Sequence, residues 1–209
     1  MYEVKSFAED RLDVQHAMIE KHPLGLLICT DDNRRPLANP LPFVLRAEQG
    51  ELGTLLAHMA RPNPQWRLLT SGSECLVVFQ GEEAYVSPGW YPSKREHGKV
   101  VPTWNYISVH VWGRPTVRDD PDWLKAQVDT LTDRQEASSA NPWRVDDAPA
   151  EFTESMLKGI VGLEIAISEI QGKWKVSQNR PAADIRGVQD GLTAIGETAM
   201  AAEIARRAR

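Results

Sequence analysis

Chemistry-bearing residue types crowd into the stretch AHMARPNPQWRLL, where His58, Arg61, Asn63, Gln65, Trp66 and Arg67 fall between a strand-like run and a helix start. A phosphate-bearing ligand wants guanidinium forks, amide donors and the N–H groups of a helix N-terminus, and this junction could supply all three. A solvated helix start with ordinary caps uses the same residues, and spacing alone does not separate the two. A second stretch, AYVSPGWYPSKREHGKVVPTWNY, interleaves Tyr85, Trp90, Tyr91, Trp104 and Tyr106 with Ser87, Lys94, Thr103 and Asn105. Aromatics among donors suit a flat heteroaromatic ligand, whose faces want apolar contact and whose edge wants hydrogen bonds; a packed structural loop has the same composition. In the third stretch, GKWKVSQNR, the strand residues Lys173 and Lys175 precede Ser177, Gln178, Asn179 and Arg180. Their partners are either solvent and turn carbonyls or the acceptor-rich edge of a bound cofactor.

The usual catalytic sets are missing. The sequence has no GxSxG elbow, no P-loop and no HExxH, and its five His show no HxxxH spacing. Adjacent carboxylates such as Glu82 with Glu83, or Asp146 with Asp147, diverge on a strand or helix and do not make a paired acid/base site. Cys29 and Cys75 each sit in an apolar run, which fits free buried thiols better than a disulfide, and two Cys cannot hold zinc alone. No catalytic residue and no metal site is therefore assigned. With 24 Lys and Arg against 29 Asp and Glu, the net charge of -5 argues against a protein that coats nucleic acid through overall charge. The start, MYEVKSFAEDR, lacks the basic and apolar regions of a secretory signal, and no apolar run reaches membrane-span length, so a cytoplasmic protein is expected.

Residues 10–23 read as an amphipathic helix ended by Pro23, with Leu12, Ala17, Met18 and Ile19 on one face. LGLLICT and LANPLPFVLR form a hairpin across DDNRRP, and Pro40 and Pro42 demote part of the second strand to an edge. TLLAHMA is a strand followed by a short helix. CLVVFQG and AYVSP are two β runs separated by a Gly-Glu-Glu turn, and GWYPSKREHGKVVP carries too many breakers to be regular. WNYISVHVWGRPTV alternates as a central strand. Asp119 or Asp120 caps a helix from Pro121, in which Leu124, Val128 and Leu131 keep helical spacing. EFTESMLKG is a short helix, and IVGLEIAISEIQG and KWKVSQ are expected to pair as a hairpin. Short antiparallel strands with helices at corners and ends give a mainly β, α+β fold: a small barrel with peripheral helices. The Ala-rich tail, residues 193–209, is expected to be helical.

The landmarks HPLG at 22–25, HMARPNPQW at 58–66, AYVSPGWYPSK at 84–94, VPTWNY at 101–106 and KVSQNR at 175–180 run in order along the chain. In these the sequence resembles the PaiB-type FMN-binding negative transcriptional regulators, over residues 1 to about 192. It departs at Pro62, where a small residue is usual, and at Gly89, where Ser is usual. The resemblance implies a split antiparallel β-barrel like that of pyridoxamine phosphate oxidase relatives, with an FMN-binding domain over 1–192 and a C-terminal helical tail over 193–209. It further implies a homodimer with flavin in clefts at the interface, and a bacterial regulator with DNA as partner. No helix-turn-helix with a basic recognition helix is visible; Arg206, Arg207 and Arg209 form the only dense basic tail. Carried over by resemblance, His58, Arg61, Asn63 and Trp66 lie near the FMN phosphate and ribityl chain, with Arg61 the first choice for the phosphate. Lys94, Thr103, Trp104, Asn105 and Tyr106 lie beside ring or phosphate, and Lys175, Ser177, Gln178 and Arg180 close the cleft. The alternative is an FMN-dependent oxidoreductase or flavin reductase of the same fold.

Overall fold

The computed structural model describes residues 1–2 and 4–207. In chain order the elements are β1 (Ala8–Glu9), α1 (Leu12–Lys21), β2 (Leu24–Thr30), β3 (Pro36–Pro42), β4 (Val44–Arg46), β5 (Thr54–Ala60) and α2 (Gln65–Leu69). They continue as β6 (Cys75–Val86), α3 (Ser93–His97), β7 (Thr103–Arg118), α4 (Pro121–Glu136), α5 (Ala150–Leu157), β8 (Ile160–Lys175), α6 (Ala182–Ala194) and α7 (Thr198–Arg207). The strands form one sheet in the order β3-β2-β6-β7-β8-β5-β4, with β1 added on β8. The proline-bearing β3 lies at an edge, where a missing N–H costs no ladder bond. β7 is central, and Ile107, Val109 and Val111 alternate into the core.

The chain divides into two compact units, and β6, β7 and β8 each run on from one into the other. Residues 16–79 and 110–170 make the larger unit. There β5 pairs antiparallel with β8 from Thr54↔Ala166 to Ala60↔Ile160, and Phe43 meets Phe79 edge to face at 5.6 Å. Asp120 caps α4 by accepting from the Trp123 N–H at 2.8 Å, with Pro121 at the first helical position. Gly162 of β8 is where Trp123 packs, since a Cβ there would sit 2.2 Å from its ring. Cys29 and Cys75 are buried free thiols, and burial pushes the Cys75 thiol up to about 12.

Residues 1–15, 80–109 and 171–209 make the smaller unit. α6 carries Gly187 and Gly191 one turn apart, and Trp90 fills the flat strip they leave: a Cβ on Gly191 would lie 2.3 Å from the indole. Asp184 of α6 accepts from the Ser93 N–H at 3.1 Å and from its hydroxyl at 2.7 Å, so the segment after β6 is strapped to this helix. α7 buries Met200, Ala201 and Ile204, and Arg207 pairs with Glu9 and lies 5.1 Å over the Trp174 ring. Arg206 pairs with Glu203. Ala208 and Arg209, the end of the basic tail, lie outside the described residues.

Three local expectations are corrected. Gly81-Glu82-Glu83 forms no turn, because β6 is one continuous strand of 12 residues. The two runs expected to pair as a hairpin are one 16-residue strand, β8. Gly172 does not turn the chain; it pairs with Glu9 of β1, whose carbonyl would lie 2.7 Å from a Cβ at that position. In both cases the ladder overrides local turn chemistry. The breaker-rich 89–102 stretch includes the short helix α3, ended by Gly98 at φ 66°.

Candidate functional site

In the smaller unit, two of the sequence segments meet where β8 ends beside the start of β7. Lys173 and Lys175, two residues apart on β8, share one strand face, while Trp174 points into the core. Both Nζ atoms lie over the Tyr106 ring of β7, at 5.5 and 5.7 Å from its centroid. Lys173 also lies 5.4 Å from the Tyr2 ring and donates to the Tyr2 carbonyl at 2.8 Å. Lys175 donates to the Thr103 hydroxyl and the Trp104 carbonyl. Asn105, 1% exposed, donates from Nδ2 to the Ser177 hydroxyl at 2.9 Å. Ser177 has φ 67°, one of two described non-glycine residues at positive φ. That left-handed turn, strained for a side-chain-bearing residue, folds its hydroxyl back under β7.

Gln178 holds the same turn closed, accepting from the Val176 N–H at 2.8 Å and donating to the Trp174 carbonyl. Arg180 follows, its guanidinium 5.1 Å over the Tyr91 ring. Burial raises the Tyr91 phenol above its ordinary range, and the Asp184 charge adds to this against the opposing Arg180. Among the described residues, Lys173, Lys175 and Arg180 pair with no carboxylate. Burial, then Lys173 and Arg180, push the Lys175 ammonium below its ordinary range. A lysine pressed by two further cations, with no carboxylate pairing to the three among the described residues, is an environment an anion relieves. Trp104 is 52% exposed and meets Tyr85 edge to face at 6.2 Å. Lys94 is exposed on α3.

His58, Arg61, Asn63 and Trp66 belong to the larger unit, and each is engaged inside it. His58 Nδ1 is 2.7 Å from the Gln127 side-chain oxygen of α4. Asn63 accepts from the Gln65 N–H at 3.0 Å, and the Trp66 indole donates to the Arg61 carbonyl at 2.9 Å. Arg61 donates to the carbonyls of Lys158 and Ile160, each at 2.8 Å, and forks onto both oxygens of Asp119. Four of its five N–H groups are thereby used within the chain. The hydrogen bond from Arg61 holds the Asp119 carboxyl below its ordinary range.

The residues that the family resemblance assigns to the flavin do not include Lys173 or Tyr2. The signal for Lys173 was its two-residue spacing from Lys175, which fixes a shared face on any strand. Nothing in the local sequence ties Tyr2 to a lysine 171 positions away.

An antiparallel sheet with peripheral helices is the build of the split-barrel fold. Residues 1–169 match the family described as "Putative FMN-binding domain", and the chain belongs to it. It is 33% identical to the "Protease synthase and sporulation protein PAI 2" of Bacillus subtilis, over 92% of this chain and 89% of that one. It is 34% identical to an uncharacterised protein of Emericella nidulans, over 95% and 93% of the two chains. Among solved structures, the flavocytochrome Anf3 from Azotobacter vinelandii superposes with a TM-score of 0.62 at 14% identity, over 83% of this chain and 72% of that one. The conserved hypothetical protein Rv2991 from Mycobacterium tuberculosis superposes with a TM-score of 0.61 at 9% identity, over 87% and 94%. At those identities the likeness is one of fold. Among the described residues, no helix is long and apolar enough to cross a membrane, and no cluster of three or more His, Cys, Asp or Glu could hold a metal.

Proposed function

We propose that the chain binds FMN with its phosphate at the Lys173, Lys175 and Arg180 cluster, and works as a flavin-loaded transcriptional regulator. The observation that carries the flavin half is the cationic cluster around Tyr106 that pairs with no carboxylate among the described residues. A phosphate dianion supplies the missing charge, and charge-assisted hydrogen bonds to lysine and arginine are among the strong ones. The residues fit the group in chemistry as well as sign. Tyr106 and Trp104 offer aromatic surface to a planar ring, and Asn105 and Ser177 lock the turn from which Arg180 projects. FMN, when bound, supplies one- and two-electron redox chemistry, and the chain's part is to bind, orient and tune it.

The regulatory half rests on the likeness to the sporulation protein of Bacillus subtilis. The working unit is a homodimer, in which a second copy completes the flavin cleft and doubles the surface presented to DNA. Two measurements test this reading. Addition of FMN to purified protein quenches flavin fluorescence, and a mobility shift on the gene's own upstream DNA survives salt that removes non-specific complexes. No quenching at high micromolar FMN overturns the flavin half. Steady nicotinamide oxidation with no shift at any salt overturns the regulatory half in favour of a flavin reductase.

A further inference from the structure

The larger unit holds a cavity of about 680 Å³ between α4 and α5, within the size range of small-molecule sites. None of the residues around it belongs to the Lys175 cluster. Pro121, Leu124, Val145 and Leu157 give it an apolar floor, of which Leu124 and Val145 are buried.

The charge around this floor selects the guest. Three cations, Arg61, Lys125 and Lys158, face four carboxylates, Asp119, Asp122, Asp146 and Glu154. Arg61 is neutralised by Asp119, and Lys125 lies 3.0 Å from Asp146 and 2.9 Å from Asp129. That leaves Asp122, Glu154 and Lys158, which form no ion pair among the described residues. The uncompensated balance is negative, the wrong sign for the phosphate of a flavin nucleotide and for any carboxylic acid of similar size. It suits a molecule with an apolar body and one positive charge.

We propose that this cavity is a second ligand site, for a small apolar amine. The hydrocarbon body covers Leu124, Val145 and Leu157, and the ammonium is held by Asp122 and Glu154. The proposal stands apart from the flavin reading, since it uses neither the Lys175 cluster nor its unit.

Calorimetric titration of the full chain with 1-naphthylmethylamine, 1-naphthylmethanol and 1-naphthoate separates shape from charge. The expected order is amine, alcohol, carboxylate, with about tenfold between first and last, the scale of two partly solvated charge contacts. Leu157→Trp fills the cavity and abolishes binding of all three. The double substitution Asp122→Asn with Glu154→Gln lies on the surface and brings the amine to within about threefold of the alcohol. Absence of heat with the amine overturns the proposal. So does a carboxylate that binds as well as the amine, or a double variant that keeps the full amine preference. Flavin fluorescence quenching in the same samples is expected to be unchanged by either variant.

Discussion

Glu9 is the anchor of the smaller unit's N- and C-terminal segments, and its removal has a magnitude that can be worked out. Its side chain is 3% exposed and takes charge from two arginines: Arg11, with Nε at 2.9 Å, and Arg207 of α7. Burial alone would raise this carboxyl, but the Arg11 hydrogen bonds and the Arg207 charge outweigh it and lower it from 4.5 to about 2. A depressed carboxyl stabilises the fold above its unfolded value and loses that contribution as pH falls through its folded value. The drop is worth on the order of 3 kcal/mol at neutral pH, lost between about pH 4.5 and 2. Arg11 is 64% exposed, so salt weakens its share; Arg207, 19% exposed, keeps more of its own. Urea unfolding of Glu9→Gln at pH 7 is therefore expected to show a loss of about 2–3 kcal/mol, with a flatter acid limb than the parent. Because β1 pairs with Gly172 and Lys173, the variant also loosens the strand end that carries the cationic cluster. A variant within about 0.5 kcal/mol of the parent, or one keeping the parent's full acid slope, refutes the reasoning.

Three further outcomes follow from packing and charge. Gly191→Ala forces a methyl against the Trp90 ring, costs about 1–3 kcal/mol in urea unfolding, and weakens FMN binding by loosening the strapped 90–94 segment. Inorganic phosphate raises the Tm above that in chloride at equal ionic strength, and Lys175→Ala removes the difference, because the anion relieves the repulsion that Lys175 meets from Lys173 and Arg180. Cys75, with its thiol pushed up to about 12, resists alkylation by iodoacetamide at pH 8 in the native protein and reacts promptly in urea, as read by mass spectrometry.

Much of this was legible from residue types and their spacing. Alternation marked β7 as a central strand, Pro40 and Pro42 marked an edge strand, and Asp119 or Asp120 before Pro121 marked the cap that opens α4. The polar ends of β7 and β8 were recognisable as a candidate site because their residue types are wasteful in a core.

What failed to show was whatever depended on partners remote in sequence. Gly81 and Gly172 carry turn chemistry, yet both lie in long strands; the residue opposite Gly172 is Glu9, invisible from the local stretch. Arg61 has the fork that phosphate recognition wants, but Asp119 lies 58 residues on and the Lys158 carbonyl 97. No spacing rule reports that these fill the fork. Lys173, named with its stretch, stays outside the flavin set implied by resemblance, because a buried lysine looks like a strand residue until Tyr2 and Tyr106 are seen flanking it.

The most direct test compares FMN with riboflavin, which differ by the phosphate alone. Fluorescence titration of the parent protein is expected to give at least about tenfold tighter binding of FMN, the scale of one or two charge-assisted hydrogen bonds. Lys175→Ala is expected to bring the two flavins to within about threefold of each other, chiefly by weakening FMN. Riboflavin bound as tightly as FMN by the parent protein would contradict the placement of the phosphate at Lys173, Lys175 and Arg180.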